Sequence, residues 1–170
     1  MKRAEEVEYV EFMLAHAHSL FRTAFLLTGD YQQAEDLVQT TMAKVYLSWS
    51  RISAMSEPGA YARRILVNQA TSWWRRKSST EVPVLTLDDR TGSGFEDEVA
   101  ESSTVWDAVL TLATRQRAVI VLRYYEDLTE AETADVLGIS VGTVKSHTHA
   151  ARQRLASLLT DSHVLETGGK

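Results

Sequence analysis

Apolar residues recur at three- and four-residue spacing along most of the chain, the period of helices that bury one face. Val7, Val10, Leu14, Ala17, Phe21, Ala24 and Phe25 form a long first stripe, which Gly29-Asp30 breaks. Asp30 can cap the next helix, with Gln33 at the reciprocal capping-box position. That helix carries Ala34, Leu37, Val38, Thr41, Met42, Val45 and Tyr46 to about Trp49, and residues 50–57 read as a loop. Pro58 suits the first turn of a third helix, which takes Tyr61, Ile65, Asn68, Ala70 and Trp73 into a basic run.

Beyond Ser78 the pattern stops. Ser78 to Ser102 is rich in Ser, Thr, Gly and acid, with one proline and one short apolar patch, Val82 to Leu87. Compact domains seldom hold so long a structureless loop, so the segment predicts a flexible linker. Helical spacing then resumes. Val105, Trp106, Val109, Leu110 and Leu112 mark one helix, and Val119, Ile120, Leu122, Arg123 and Tyr124 another. Thr129 and Glu132 form a capping box for a third, ending at Leu137-Gly138, and Ser140 caps a fourth from Val141 to about Leu158. The tail from Asp161 reads as disordered. The expected fold is all-α: two small helical domains, 5–78 and 103–160, joined by an acidic linker over 79–102.

Composition narrows the function classes. With no cysteine, disulfides, zinc fingers, iron–sulfur clusters and thiolate catalysis are excluded. No apolar run reaches the roughly 20 residues that span a bilayer, and acids stand where a signal peptide would be apolar. The expectation is a soluble, cytoplasmic protein without a membrane partner. The net charge of −5 hides strong local asymmetry. Tyr61 to Lys77 holds five basic residues and no acid; Ser78 to Ser102 holds seven acids against Arg90; Val141 to Leu155 holds three basic residues, two histidines and no acid. Local patches set the field that a phosphate backbone meets.

Glu130 to His149 predicts a helix-turn-helix. Gly138 permits the positive φ of a tight turn, Ala134 is small at the helix crossing, and Ile139 and Val144 are apolar at the shared core. The second helix would present Thr143, Lys145, Ser146, His147, His149, Arg152 and Arg154 to a DNA major groove, while Val144, Ala151 and Leu155 pack inward. The bland alternative is an αα-hairpin with a solvated face. In the first half, Arg63, Arg64, Arg75, Arg76 and Lys77 can neutralise phosphates, Tyr61, Trp73 and Trp74 can stack unpaired bases, and Asn68 can read a base edge. The same run also fits a helix with core aromatics and a solvated basic end.

His16 and His18, like His147 and His149, stand two apart and point to different sides of a helix, so no metal site is expected. No phosphate-binding glycine loop, nucleophile elbow or facing carboxylate pair gives positive reason to expect an enzyme.

Three segments resemble the group-4, extracytoplasmic-function (ECF) sigma factors of the sigma-70 family. Ala34-Glu35-Asp36-Leu37-Val38-Gln39, followed by Val45-Tyr46, is similar to region 2.2, the family's docking helix for core RNA polymerase. Ala62-Arg63-Arg64-Ile65-Leu66-Val67-Asn68, with Ser72-Trp73-Trp74-Arg75-Arg76-Lys77, resembles regions 2.3 and 2.4, which melt and read the −10 element. Arg115 to Leu128, continuing through Ala131-Glu132, Ala134, Leu137-Gly138 and Ser140 to Ser146, resembles region 4, which reads the −35 element. The resemblance implies core RNA polymerase, double-stranded promoter DNA and melted single-stranded −10 DNA as partners. It leaves room for an anti-sigma factor and implies no cofactor. Glu35, Asp36, Leu37, Val38 and Gln39 are then the expected polymerase contacts.

His147 and Ala150 stand where relatives often carry arginine, which removes two bidentate guanine readers. The recognition helix Gly142 to His147 also resembles that of stand-alone LuxR-type regulators. Such a regulator would carry an alternating βαβ receiver or a ligand domain in the first half, and this half shows helical spacing instead. An adaptor or anti-sigma helical bundle is the third reading, opposed by two basic patches without interleaved acids.

Overall fold

A computed structural model describes residues 3–78 and 104–167, which are helical or in short turns. The chain divides into two compact units, Met1–Asp88 and Asp89–Lys170. The expected acidic linker, 79–102, lies outside the described residues.

Among the described residues, the first unit has four helices: α1 (Arg3–Thr28), α2 (Tyr31–Leu47), α3 (Trp49–Ile52) and α4 (Pro58–Ser78). Gly29, at φ 67°, turns the chain after α1. The Asp30 carboxylate then accepts the Gln33 N–H at 2.7 Å and starts α2. Both α1 and α2 pack on α4 and on each other. Their shared core holds Leu20, Ala24, Leu27, Ala34, Val45, Leu66 and Ala70. Each fully buried leucine side chain contributes roughly 1.5–3 kcal/mol.

Two expectations need correction in this unit. The buried stripe of α1 is Phe12, Leu20, Phe21, Ala24, Leu26 and Leu27, whereas Val7, Val10 and Leu14 are exposed, Leu14 at 72%. Val7, Val10 and Leu14 share one face of α1, opposite the face on which Tyr9, Phe12 and His16 pack against neighbouring elements, so this apolar stripe is left uncovered. The expected loop at 50–57 includes α3, because Trp49 and Ile52 bury their side chains there.

An aromatic cluster ties these elements together. The Tyr9 hydroxyl donates to the Met42 carbonyl at 3.0 Å, and its ring meets Tyr46 and Trp49 edge-on at 5.0 and 5.5 Å. His16 lies against Phe12 at 4.5 Å. The other side of His16 reaches the start of α4, where a Cβ added to Gly59 would lie 2.7 Å from Cε1 of the imidazole.

Among its described residues, the second unit holds α5 (Thr104–Leu110), α6 (Thr114–Ile120) with a π turn at Val121–Tyr125, α7 (Glu130–Leu137) and α8 (Val141–Thr167). The α8 helix continues past the expected end at Leu158 and takes in most of the tail expected to be disordered. Val109, Leu112, Ala118 to Leu122, Ala134, Val144 and Ala151 form the core. Arg117 is also buried. Its guanidinium donates to the Leu110 carbonyl at 3.1 Å, satisfying an acceptor at the end of α5, and burial pushes its pKa down. In the π turn, the Glu126 N–H reaches back to the Val121 carbonyl at 3.0 Å, and the Arg123 guanidinium donates to the Leu128 carbonyl.

Candidate nucleic-acid and polymerase interfaces

Local chemistry builds the turn between α7 and α8. Thr129 Oγ1 accepts the Glu132 N–H at 3.1 Å, and Glu132 Oε2 accepts the Thr129 N–H at 2.7 Å, so both halves of the capping box form. Gly138 sits at φ 65°, ψ 38°. The Ile139 N–H bonds the Ala134 carbonyl at 3.1 Å, and the Gly138 N–H bonds that of Asp135 at 3.3 Å. These two bonds are a Schellman closure of α7. Ser140 Oγ then accepts the Thr143 N–H at 3.0 Å and opens α8. Val119, Ala134 and Val144 form a buried cluster against which Leu137 and Ile139 pack. The glycine, small-residue and apolar positions read from the sequence all have their expected places.

With Val144 and Ala151 inward, the other face of α8 meets solvent. Lys145, His149 and Arg152 are exposed at positions i, i+4 and i+7, with exposed Ser146 beside them, so helical register groups these four. His147 and Arg154, seven apart, lie on a different side, and His147 is half-buried. Thr143 Oγ1 shares a 2.8 Å hydrogen bond with Ser140 Oγ, so this hydroxyl already serves the cap. One cross-helix contact was missed in the sequence: Lys145 Nζ lies 3.7 Å from Glu130 Oε2, both side chains being solvent-accessible. No local rule couples residues 15 apart on different helices.

In the first unit an open groove runs between α2 and α4. Asp36, Thr40, Lys44 and Leu47 line one wall; Tyr61, Ile65, Asn68, Ser72, Trp73 and Arg76 line the other. The groove therefore gathers Tyr61, Asn68, Trp73 and Arg76. Arg63 and Arg64 are exposed on α4 outside it. Trp74 is half-buried like Trp73 and lies outside the groove lining, with its indole N–H enclosed and without an acceptor. The side chains of Arg75 and Lys77 lie outside the described ones. Arg51 joins this face: its Nη2 donates to the Tyr61 hydroxyl at 3.0 Å, with the guanidinium carbon 5.8 Å from the ring centre. Sequence spacing gave no sign of that partnership. Gln69 Nε2 donates to buried Thr41 Oγ1 at 2.9 Å and fixes α4 against α2.

The five expected polymerase contacts divide. Asp36 and Gln39 are exposed, and Glu35 and Val38 are half-buried. Leu37 is 8% exposed, most of its side chain lying in the core while it also borders the groove. Among the described residues, no group of three or more His, Cys, Asp or Glu could hold a metal ion, and no helix is long and apolar enough to cross a membrane.

Comparison with known proteins places both units. Residues 12–80 match the model of sigma-70 region 2, and residues 103–155 that of sigma-70 region 4. The chain is 36% identical over 170 residues to an RNA polymerase sigma-E factor of Streptomyces avermitilis, covering 98% of this chain and 95% of the relative. It is 34% identical over 154 residues to the ECF RNA polymerase sigma factor SigL of Mycobacterium tuberculosis, covering 86% and 85%. The fold is similar to that of the sigma factor RpoE of Bartonella quintana, solved in complex with the anti-sigma factor NepR. That likeness has a TM-score of 0.62 at 24% identity, over 90% of this chain and 97% of that one. Both sigma-70 matches, in this order, remove the LuxR-type alternative, since region 2 fills the half where a receiver or ligand domain would stand. The chain therefore belongs to the sigma-70 family, as an ECF RNA polymerase sigma factor.

Proposed function

We propose a division of labour in which the domain 5–78 holds core RNA polymerase and opens the −10 element, the segment 79–102 connects, and the domain 103–160 reads the −35 element. The polymerase-facing surface is the exposed side of α2 around Gln39, with Glu35 and Val38 at its margin and Asp36 on the rim that it shares with the groove. The −10 strand follows the groove of α4. There Tyr61 and Trp73 offer rings for stacking, Asn68 an amide for a base edge, and Arg76 a cation for phosphate; Arg63, Arg64, Arg75 and Lys77 add to the positive field. On α8, Lys145, Ser146, His149 and Arg152 address the major groove, and Thr143, His147 and Arg154 contribute from the flanks.

The gathering of Tyr61, Asn68, Trp73 and Arg76 along one groove carries the reading of the first domain. The chain supplies specificity rather than catalysis and acts in the cytoplasm, where its polymerase is. An anti-sigma partner is part of this proposal, by analogy with the Bartonella quintana complex.

The test is transcription of genomic DNA by core polymerase with and without the purified chain, followed by mapping of transcript starts. New starts sharing two spaced upstream motifs are the expected result. Starts unchanged from those of core enzyme alone, with a folded chain, would overturn the proposal.

A further inference from the structure

We propose that Glu130 is a specificity-determining residue of the −35 interface, acting with Lys145 across the helix-turn-helix. This inference rests on the assignment of α8 as the −35 reader.

Three observations lead to it. Glu130 is the first residue of α7, and its carboxylate lies 3.7 Å from the ammonium of Lys145 on α8. The capping box of α7 is closed by Glu132, so α7 does not need the Glu130 carboxylate for its own end. Both side chains are open to solvent, Lys145 at 65% and Glu130 at 39%. An exposed pair of this kind adds little to folding, so stability alone is a poor reason for it.

The chemistry fits a base pair. In the major groove, guanine shows the acceptors N7 and O6, and cytosine shows the N4 amino donor. An ammonium and a carboxylate held a few ångströms apart present the complementary order, donor beside acceptor. Lys145 would hold guanine, and Glu130 would accept from the cytosine paired with it or next to it. Where guanine replaced that cytosine, the carboxylate would face two acceptors and repel them. Its negative charge would also oppose unspecific adhesion to phosphate, so Glu130 would sharpen discrimination at some loss of affinity.

The experiment uses holoenzyme formed from core polymerase and the full chain, transcribing a promoter library randomised through the −35 element. Wild type, Glu130→Gln, Lys145→Ala and the double variant are compared. The wild type is expected to favour cytosine at one position, and Glu130→Gln to flatten that preference on the order of tenfold. The altered position should coincide with, or adjoin, the one that responds to Lys145→Ala, and the double variant should be non-additive. Glu130→Gln should also hold unrelated DNA more tightly at low salt.

An unchanged base profile in Glu130→Gln would overturn the inference, as would a wild-type preference for adenine or guanine at the responding position. A thermal melt of each variant separates loss of reading from loss of fold. Failure of wild-type holoenzyme to initiate at any shared motif would instead overturn the sigma reading itself.

Discussion

Between Asp36 and Leu37 the chain turns from water into the core. The Asp36 carboxylate accepts a hydrogen bond from Gln32 Nε2 at 3.2 Å on an exposed face, whereas the next side chain is buried. Substitution should therefore separate two effects. Leu37→Ala should destabilise the first unit by about 2–4 kcal/mol, read as a lower denaturation midpoint. Asp36→Ala should leave the midpoint within about 0.5 kcal/mol of wild type and weaken binding to core polymerase. Equal stability of the two variants would contradict the burial of Leu37. The family motif includes both residues without saying which one faces inward, but helical spacing does: Leu37 stands in register with Ala34, Thr41 and Val45, all buried, and Asp36 does not. Gly138, Thr129, Glu132 and Ser140 were likewise legible at once, because each acts on backbone within a few residues of itself.

At the scale of elements, the capping box gives α7 a dependence on acid. The Thr129 backbone N–H, and secondarily its side chain, hold the Glu132 carboxyl below the ordinary carboxylate range. A carboxyl with a lower pKa folded than unfolded stabilises the helix above its unfolded pKa, and this is lost as pH falls through the folded value. The protection of α7 amides, taken relative to intrinsic exchange at each pH, should therefore fall on acidification through the carboxylate range, and Glu132→Gln should remove that component. An identical pH profile in the two proteins would contradict the assignment. Helix existence was legible from periodicity, but coverage was not. Val7, Val10 and Leu14 follow helical spacing as faithfully as the buried stripe does, and they are exposed because they lie on the face of α1 opposite Tyr9, Phe12 and His16. Likewise α3 forms in an expected loop because Trp49 and Ile52 find a core to enter, a long-range fact that a short polar stretch conceals.

For the molecule as a whole, the balance of charge matters less than its partition. The chain carries −5 overall, yet its α4 and α8 segments are basic. Promoter engagement by the holoenzyme should therefore weaken steeply with salt. Exposed Arg152 sits on the outward face of α8, and Arg152→Ala should reduce the logarithmic salt slope by about one while leaving base preferences alone. A changed base profile with an unchanged slope would mean that Arg152 reads an edge instead. The order of the motifs made the two-domain organisation legible, whereas the groove between α2 and α4 was not, since it exists only once residues far apart in the chain are brought side by side.

The imidazole of His16 against Gly59 has an evolutionary consequence. A methyl group at position 59 would arrive 2.7 Å from that ring, so the first side chain to appear there must find position 16 smaller or already turned away. Descendants of a common ancestor should then have altered the two sites as a pair, with position 16 changing before or together with position 59. An aligned set of relatives in which position 59 varies freely beside an invariant histidine at position 16 would show that the ring yields more easily than its contact with Phe12 suggests.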